Sequence, residues 1–267
     1  MIRNPAVSGS FYPSRLATLS AQVDALLVSK AQPQKAKAII VPHAGYIYSG
    51  AVAGQVIAST DIPKTIVLLG PNHYGAGPAI SVSGADSWAT PMGHVPIEKE
   101  LRQQLLRSIS DLKTDNSAHE QEHSLEVMLP FLLKRQPELN IVPIALGPLG
   151  LEQCLALGSA LARTLSDYEQ DVLLLASSDM NHFSSAEITE KLDSLAIEAM
   201  TAYDPAQLYQ VVRDNRISMC GVLPVIAVMQ AAREMGASSC RIVSYSHSGQ
   251  VNGDNTNVVG YAGLMIQ

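Results

Sequence analysis

The sequence predicts an α/β fold: a single domain over residues 1–267, with a mixed, mostly parallel central sheet and helices on both faces. Three observations carry this. Short apolar runs rich in β-branched residues recur at 38–42, 65–70 and 172–176, and have the length of strands buried on both faces. Helical patterns follow them, which makes these strands parallel. Each run also leads into a histidine: His43 in Pro-His-Ala-Gly-Tyr, His73 in Gly-Pro-Asn-His, and His182 in Ser-Ser-Asp-Met-Asn-His. Carboxyl ends of parallel strands share one edge of a sheet, where ligands bind, so the three histidines are expected to converge.

The elements follow in order. Residues 3–13 are polar and end in Ser10-Phe11-Tyr12-Pro13, an extended arm expected to pack its aromatics on the domain. From 14 to 29, Leu16, Leu19, Val23, Leu26 and Leu27 fall at helical spacing, with Ser14 as the candidate N-cap. A polar link, 30–37, enters the first strand, and a helix is expected from about Ser49 to Ser59. Residues 79–82 read as a further strand. The stretch 83–96, with Gly84, Pro91, Gly93 and Pro96, reads as a long excursion whose Trp88 and His94 can overhang the strand edge. Helices are expected over 97–109 and, after the polar stretch 110–122, over 123–134. Strand 140–146, helix 151–165 and strand 172–176 continue the alternation. Helical patterns then cover 185–202, 205–212 and 221–235. Strands at 241–245 and 257–265, joined by the Gly/Asn/Asp-rich loop 246–256, close the chain.

Composition excludes several classes. With 47% apolar and 16% charged residues the chain is an ordinary globular sequence, and its net charge of -6 argues against nucleic acid as a partner. The N-terminus lacks a signal-peptide core, and no stretch approaches the ~18–20 apolar residues of a membrane span, so a cytoplasmic protein without a membrane partner is expected. Cys154, Cys220 and Cys240 are too sparse for a disulfide scaffold.

His43 and His73 lie one strand–helix–strand unit apart and can share an ion if a third ligand reaches them; otherwise they are structural loop histidines. Cys220 precedes Gly221 and an apolar helical run, where the helix dipole favours a thiolate. Two histidines, a cysteine and an open position suit zinc, iron(II) or copper. The plain alternative is a buried cysteine at a helix start. Asp179, three residues before His182, can fix that imidazole as a general base, or simply bond it within a loop. Residues 119–123, His-Glu-Gln-Glu-His, match the H-E-x-x-H zinc-protease motif, but the polar lead and the missing downstream ligand make it a decoy. His123 by itself can point into the same cleft.

Taken together, these residues resemble the Memo family, related in fold to class III extradiol ring-cleaving dioxygenases and known in microbes as AmmeMemoRadiSam system protein B. The resemblance runs through Arg3 to Pro13, Pro42-His-Ala-Gly-Tyr46, Gly70-Pro-Asn-His73, Glu122-His-Ser-Leu-Glu126, Ser177-Ser-Asp179 with His182, and Met219-Cys-Gly221. It implies a dioxygenase-like α/β architecture with metal ligands at His43, His73 and Cys220. It places the general base at His182, with His123 lining the cleft. It also implies a radical-SAM protein and a small companion protein as partners. The ring-cleaving enzymes use a carboxylate where this chain has Cys220, and a thiolate shifts preference towards copper or zinc. The leading expectation is a metal-dependent redox enzyme, oxidase- or oxygenase-like, with iron(II) or copper and a small-molecule or peptide substrate. In it His182 and His123 move protons and Asp179 orients His182. The alternatives are a non-catalytic peptide- or protein-binding module, since eukaryotic relatives are linked to phosphotyrosine segments, and, more weakly, a zinc hydrolase.

Overall fold

The apolar runs form the centre of one sheet in a computed structural model that describes residues 1–29 and 32–267. The first two residues of the polar link, 30 and 31, lie outside the described residues. In chain order the elements begin with β1 Ile2–Arg3, α1 Leu16–Leu26, β2 Ala38–Val41, α2 Tyr46–Ala58 and β3 Thr65–Pro71. They continue with β4 Ile80–Ser83, β5 Ser87–Thr90, β6 Gly93–Pro96, α3 Lys99–Ser108, β7 Lys113–Asp115, α4 Ser117–Glu120, α5 Leu129–Arg135 and β8 Asn140–Leu146. The remainder are α6 Leu151–Ser166, β9 Val172–Ser177, β10 His182–Ser184, α7 Ala186–Thr201, α8 Pro205–Asp214, α9 Val222–Glu234, β11 Cys240–His247, α10 Gly249–Asn252 and β12 Val258–Ile266.

Among the described residues nine strands make the main sheet, in the order β10-β12-β2-β9-β3-β8-β4-β7 with β11 pairing β12. Its heart, β2-β9-β3-β8, is parallel, with Ile39 opposite Leu175 and Leu68 opposite both Leu175 and Pro143. Antiparallel pairs flank it on both sides, β12 against β2 and β4 against β8. Successive strand residues point to opposite faces, and the core divides accordingly. Ile39, Val41, Ile66, Leu68, Leu173 and Leu175 pack with α1, α2 and α5. Ala38, Ile40, Val67, Leu69, Leu174 and Ala176 pack with α3, α6, α7, α8 and α9. Among the described residues no helix is long and apolar enough to cross a membrane.

Several local expectations are corrected. Arg15, not Ser14, is the N-cap residue of α1. Helix α2 begins at Tyr46, ahead of Ser49, because the Tyr46 backbone N–H is taken by the Phe11 carbonyl of the arm. The excursion 83–96 folds as the β5–β6 hairpin, and β1 pairs with β5. Trp88 is therefore buried, donating to Ser83 Oγ at 3.0 Å beneath the Arg3 guanidinium, while His94 is exposed. The helix expected from His123 starts only at Leu129, after a 3-10 turn over Glu126–Met128. Pro130 is the reason: it lacks the N–H an interior position needs and fits only a first turn.

Candidate metal centre

His43 leaves the end of β2 fully buried. Its backbone N–H donates to Asp179 Oδ1 at 2.7 Å, and its Nδ1 lies 2.5 Å from Ser177 Oγ. Ser177 gives its one hydroxyl proton to the Ser124 carbonyl at 2.6 Å. Its oxygen must therefore accept from His43 Nδ1–H, which leaves Nε2 as a bare lone pair. That Nε2 faces Cys220 Sγ at 3.2 Å. Burial first, then the neighbouring histidines, hold His43 well below the usual imidazole range, so it is neutral.

His73 follows β3 and is held twice by one carboxylate. Glu122 Oε1 accepts from its Nδ1 at 2.8 Å and Oε2 from its backbone N–H at 2.6 Å. A carboxylate can only accept here, so His73 carries a proton on Nδ1 and Nε2 is the atom left for a ligand. Burial acts to raise the Glu122 carboxyl. Its hydrogen bond to the His73 ring, the attraction of that imidazole and the N–H groups of Ser124 and His73 outweigh that and pull it down to about 2.

His123 stacks on His73, with centroids 4.6 Å apart and planes 17° apart, meets the His43 ring edge-on at 5.4 Å, and lies 4.7 Å from Phe11 of the arm. Burial lowers its pKa as well, against the pull of Glu122. One donor atom each from His43, His73 and His123 lies within 4.8 Å of the other two. Two nitrogens on one tetrahedral zinc are ~3.4 Å apart, so modest side-chain movement brings all three onto one ion. Three imidazoles beside a thiol are a donor set that fits a borderline or soft transition metal.

Cys220 sits just ahead of α9, with the Asp179 N–H 3.3 Å from its sulphur. The expected thiolate is not what the protein alone holds. Burial of the sulphur, and then the Asp179 carboxylate, push the thiol up beyond its usual range and outweigh its hydrogen bonds to the Asp179 backbone and Ser178. Gly221 permits the close approach: a Cβ there would lie 2.2 Å from the Ser177 carbonyl oxygen.

Asp179 does not orient His182. It is pushed up to about 7 by burial, against the N–H groups of His43 and Ala44, and its hydrogen bond shapes the turn at His43. His182 is held instead by Ser218, whose carbonyl accepts from Nδ1 at 3.0 Å and whose Oγ accepts its backbone N–H at 2.8 Å. It lies near enough to the cluster that its charge depresses His43. His119, the other histidine of the protease-like motif, points away: it is buried by Trp88, its Nε2 donating to the Ser81 carbonyl at 3.2 Å. The residues that sequence reasoning passed over are Glu122 and Ser177, which fix the two tautomers. Glu122 lay inside the motif set aside as a decoy.

Residues 3–265 match the profile of Memo-like proteins. The chain belongs to the Memo-like family. It is 41% identical to a MEMO1 family protein of Aquifex aeolicus, with 99% of each chain covered. A MEMO1 family protein of Methanothermobacter thermautotrophicus is 36% identical, over 99% of this chain and all of that one. Among solved structures, an uncharacterized protein of Escherichia coli K12 superposes with a TM-score of 0.58 at 14% identity, covering 85% of this chain and 98% of that one. That likeness shows a shared α/β architecture. In this Memo-like chain the cluster His43, His73 and His123 can hold a metal ion.

Proposed function

We propose that the chain is a metal-dependent oxidoreductase, oxidase- or oxygenase-like, that holds one iron(II) or copper ion through His43, His73 and Cys220. The observation that carries this is the pair of contacts from Ser177 and Glu122 that occupy the Nδ1 atoms of His43 and His73, which leaves Nε2 as the ligand atom of each, that of His43 3.2 Å from the Cys220 sulphur. A redox-active ion bound there would supply electron transfer and polarise a small-molecule substrate. The chain's own residues do the rest. His182, its Nδ1–H given to Ser218, offers Nε2 as proton acceptor, and His123, stacked on His73 with Phe11 tilted against it, moves a second proton. A radical-SAM protein and its small companion are the partners this reading takes from the family resemblance.

Elemental analysis of protein purified without added metal tests it, alongside His43→Ala, Cys220→Ala and His123→Ala. Near-stoichiometric iron or copper, lost in the first two variants and kept in the third, is expected. Metal kept in Cys220→Ala and lost in His123→Ala moves the third ligand to His123. Zinc in place of iron or copper points to hydrolysis. No metal under any loading condition favours a binding module.

A further inference from the structure

A chain of hydrogen bonds runs from the far side of β12, through the buried Asn181, to the more exposed ring of His182. Asn181 is its centre. This residue is 2% exposed, and each of its polar groups has a partner. Its N–H donates to Asp193 Oδ1 at 2.8 Å, and its carbonyl accepts from the Gly260 N–H at 2.9 Å. Its Nδ2 donates to Thr189 Oγ1 at 3.3 Å. Its Oδ1 accepts from both the N–H and the hydroxyl of Ser218, at 3.3 and 3.1 Å. Asp193 is fixed in turn by the Tyr245 hydroxyl at 2.8 Å.

Ser218 accepts both polar hydrogens of His182, the backbone one on Oγ and the ring one on its carbonyl. A carbonyl cannot donate, so the imidazole carries its proton on Nδ1. An imidazole free in water prefers the other tautomer, with the proton on Nε2. The Met180 carbonyl also acts on the ring, and the contact that places the proton on Nδ1 is the Ser218 carbonyl. What fixes that carbonyl is the double hydrogen bond from its own residue to Asn181. The next residue, Phe183, is 77% exposed and sits at a φ of 60°, a left-handed conformation that costs a bulky residue energy. Backbone held in this way beside a cleft needs restraint from its neighbours, and the Asn181–Ser218 pair supplies it at His182.

We infer that Asn181 is a positioning residue that sets the tautomer of His182 through Ser218, with Asp193 as its anchor. The consequence for proton transfer rests on the reading of His182 as the base; the tautomer itself does not. The arrangement also ties the base to the segment that carries Cys220, because Ser218 lies two residues before it. Orientation of a ring by a second layer of hydrogen bonds commonly governs how well the ring performs.

The test is long-range proton–nitrogen NMR of the imidazoles in the full chain, treated with chelator, at a pH where His182 is neutral. His182→Gln identifies the signal. Wild type should show a protonated Nδ1 and a bare Nε2. Asn181→Leu and Ser218→Ala should shift His182 towards the Nε2–H form, with the Nδ1–H population falling several-fold. Asn181→Asp keeps the acceptor for Ser218 and should retain the wild-type tautomer, which separates lost positioning from lost fold. A wild-type His182 already in the Nε2–H form overturns the inference. So does an unchanged Nδ1–H form in both Asn181→Leu and Ser218→Ala. Neither outcome depends on metal content or turnover, so failure here is distinct from failure of the oxidoreductase reading.

Discussion

Glu122 grips His73 at two points, Oε1 on the ring and Oε2 on the backbone, although 48 residues separate them in sequence. The ring contact makes Nε2 the ligand atom, and the backbone contact fixes where the ring hangs from the end of β3. Glu122→Gln keeps the size but has one acceptor oxygen for three donors. Metal affinity, measured by competition with a chelator, should fall roughly 10–100-fold with the fold intact. An unchanged affinity would remove Glu122 from the site.

Arg3 reaches from the arm to the buried Glu126, pairing with its carboxylate and donating to the carbonyls of His119 and Glu122. Glu126 also accepts from the N–H groups of Ala6 and Val7 and from the Tyr12 hydroxyl. Removing one partner leaves a buried charge uncompensated. Arg3→Ala should therefore cost about 3–5 kcal/mol in urea unfolding. Arg3→Lys should recover only part of this, since an ammonium cannot reproduce the guanidinium fork. A loss below about 1 kcal/mol would mean the arm is not held by this pair.

Strands were legible wherever burial on both faces left an uninterrupted apolar run. Ile39–Val41 and Ile66–Leu69 announce themselves, and their alternate residues fall into the two cores. His43 and His73 were legible for a related reason: strand ends are located by the strands. Pro130 was readable and should have moved the start of α5. Glu122 and Ser218 were not, because their roles come from which carbonyls, amides and rings the fold places opposite them. Asp179 shows the limit most clearly. Its spacing from His182 suggested a pair, yet the chain turns between them and gives the carboxylate to the backbone of His43.

Asp193 is buried, and burial, opposed by the Asn181 N–H and the Tyr245 hydroxyl, raises its carboxyl from 3.8 to about 6. The folded state therefore binds this proton more tightly than the unfolded one. Its contribution to stability is fully present below the unfolded value and is lost as pH rises through the folded one. The difference amounts to about 3 kcal/mol. In Asp193→Asn the amide oxygen can still accept from Asn181 and the amide N–H can donate to Tyr245. The variant should gain stability relative to wild type as pH is raised from about 4 to 7 in urea titrations. A constant difference across that range would contradict the shift.

Gly221 is where the start of α9 meets the end of β9. A Cβ would sit 2.2 Å from the Ser177 carbonyl oxygen and 2.6 Å from Ser178 Cβ. The closer of these is backbone, which cannot swing aside as a flexible side chain would. Gly221→Ala must therefore push α9 away from the strand, carrying Cys220 from His43 and disturbing Ser177. Thermal or urea unfolding should show a loss of about 1–3 kcal/mol, the usual scale of overpacking. Metal affinity should fall with it. Gly75 faces open space but has a φ of 66°, so Gly75→Ala should cost about 1 kcal/mol from backbone strain and leave metal affinity unchanged. Equal metal affinity in both variants would show that the approach of α9 to β9 does not shape the site.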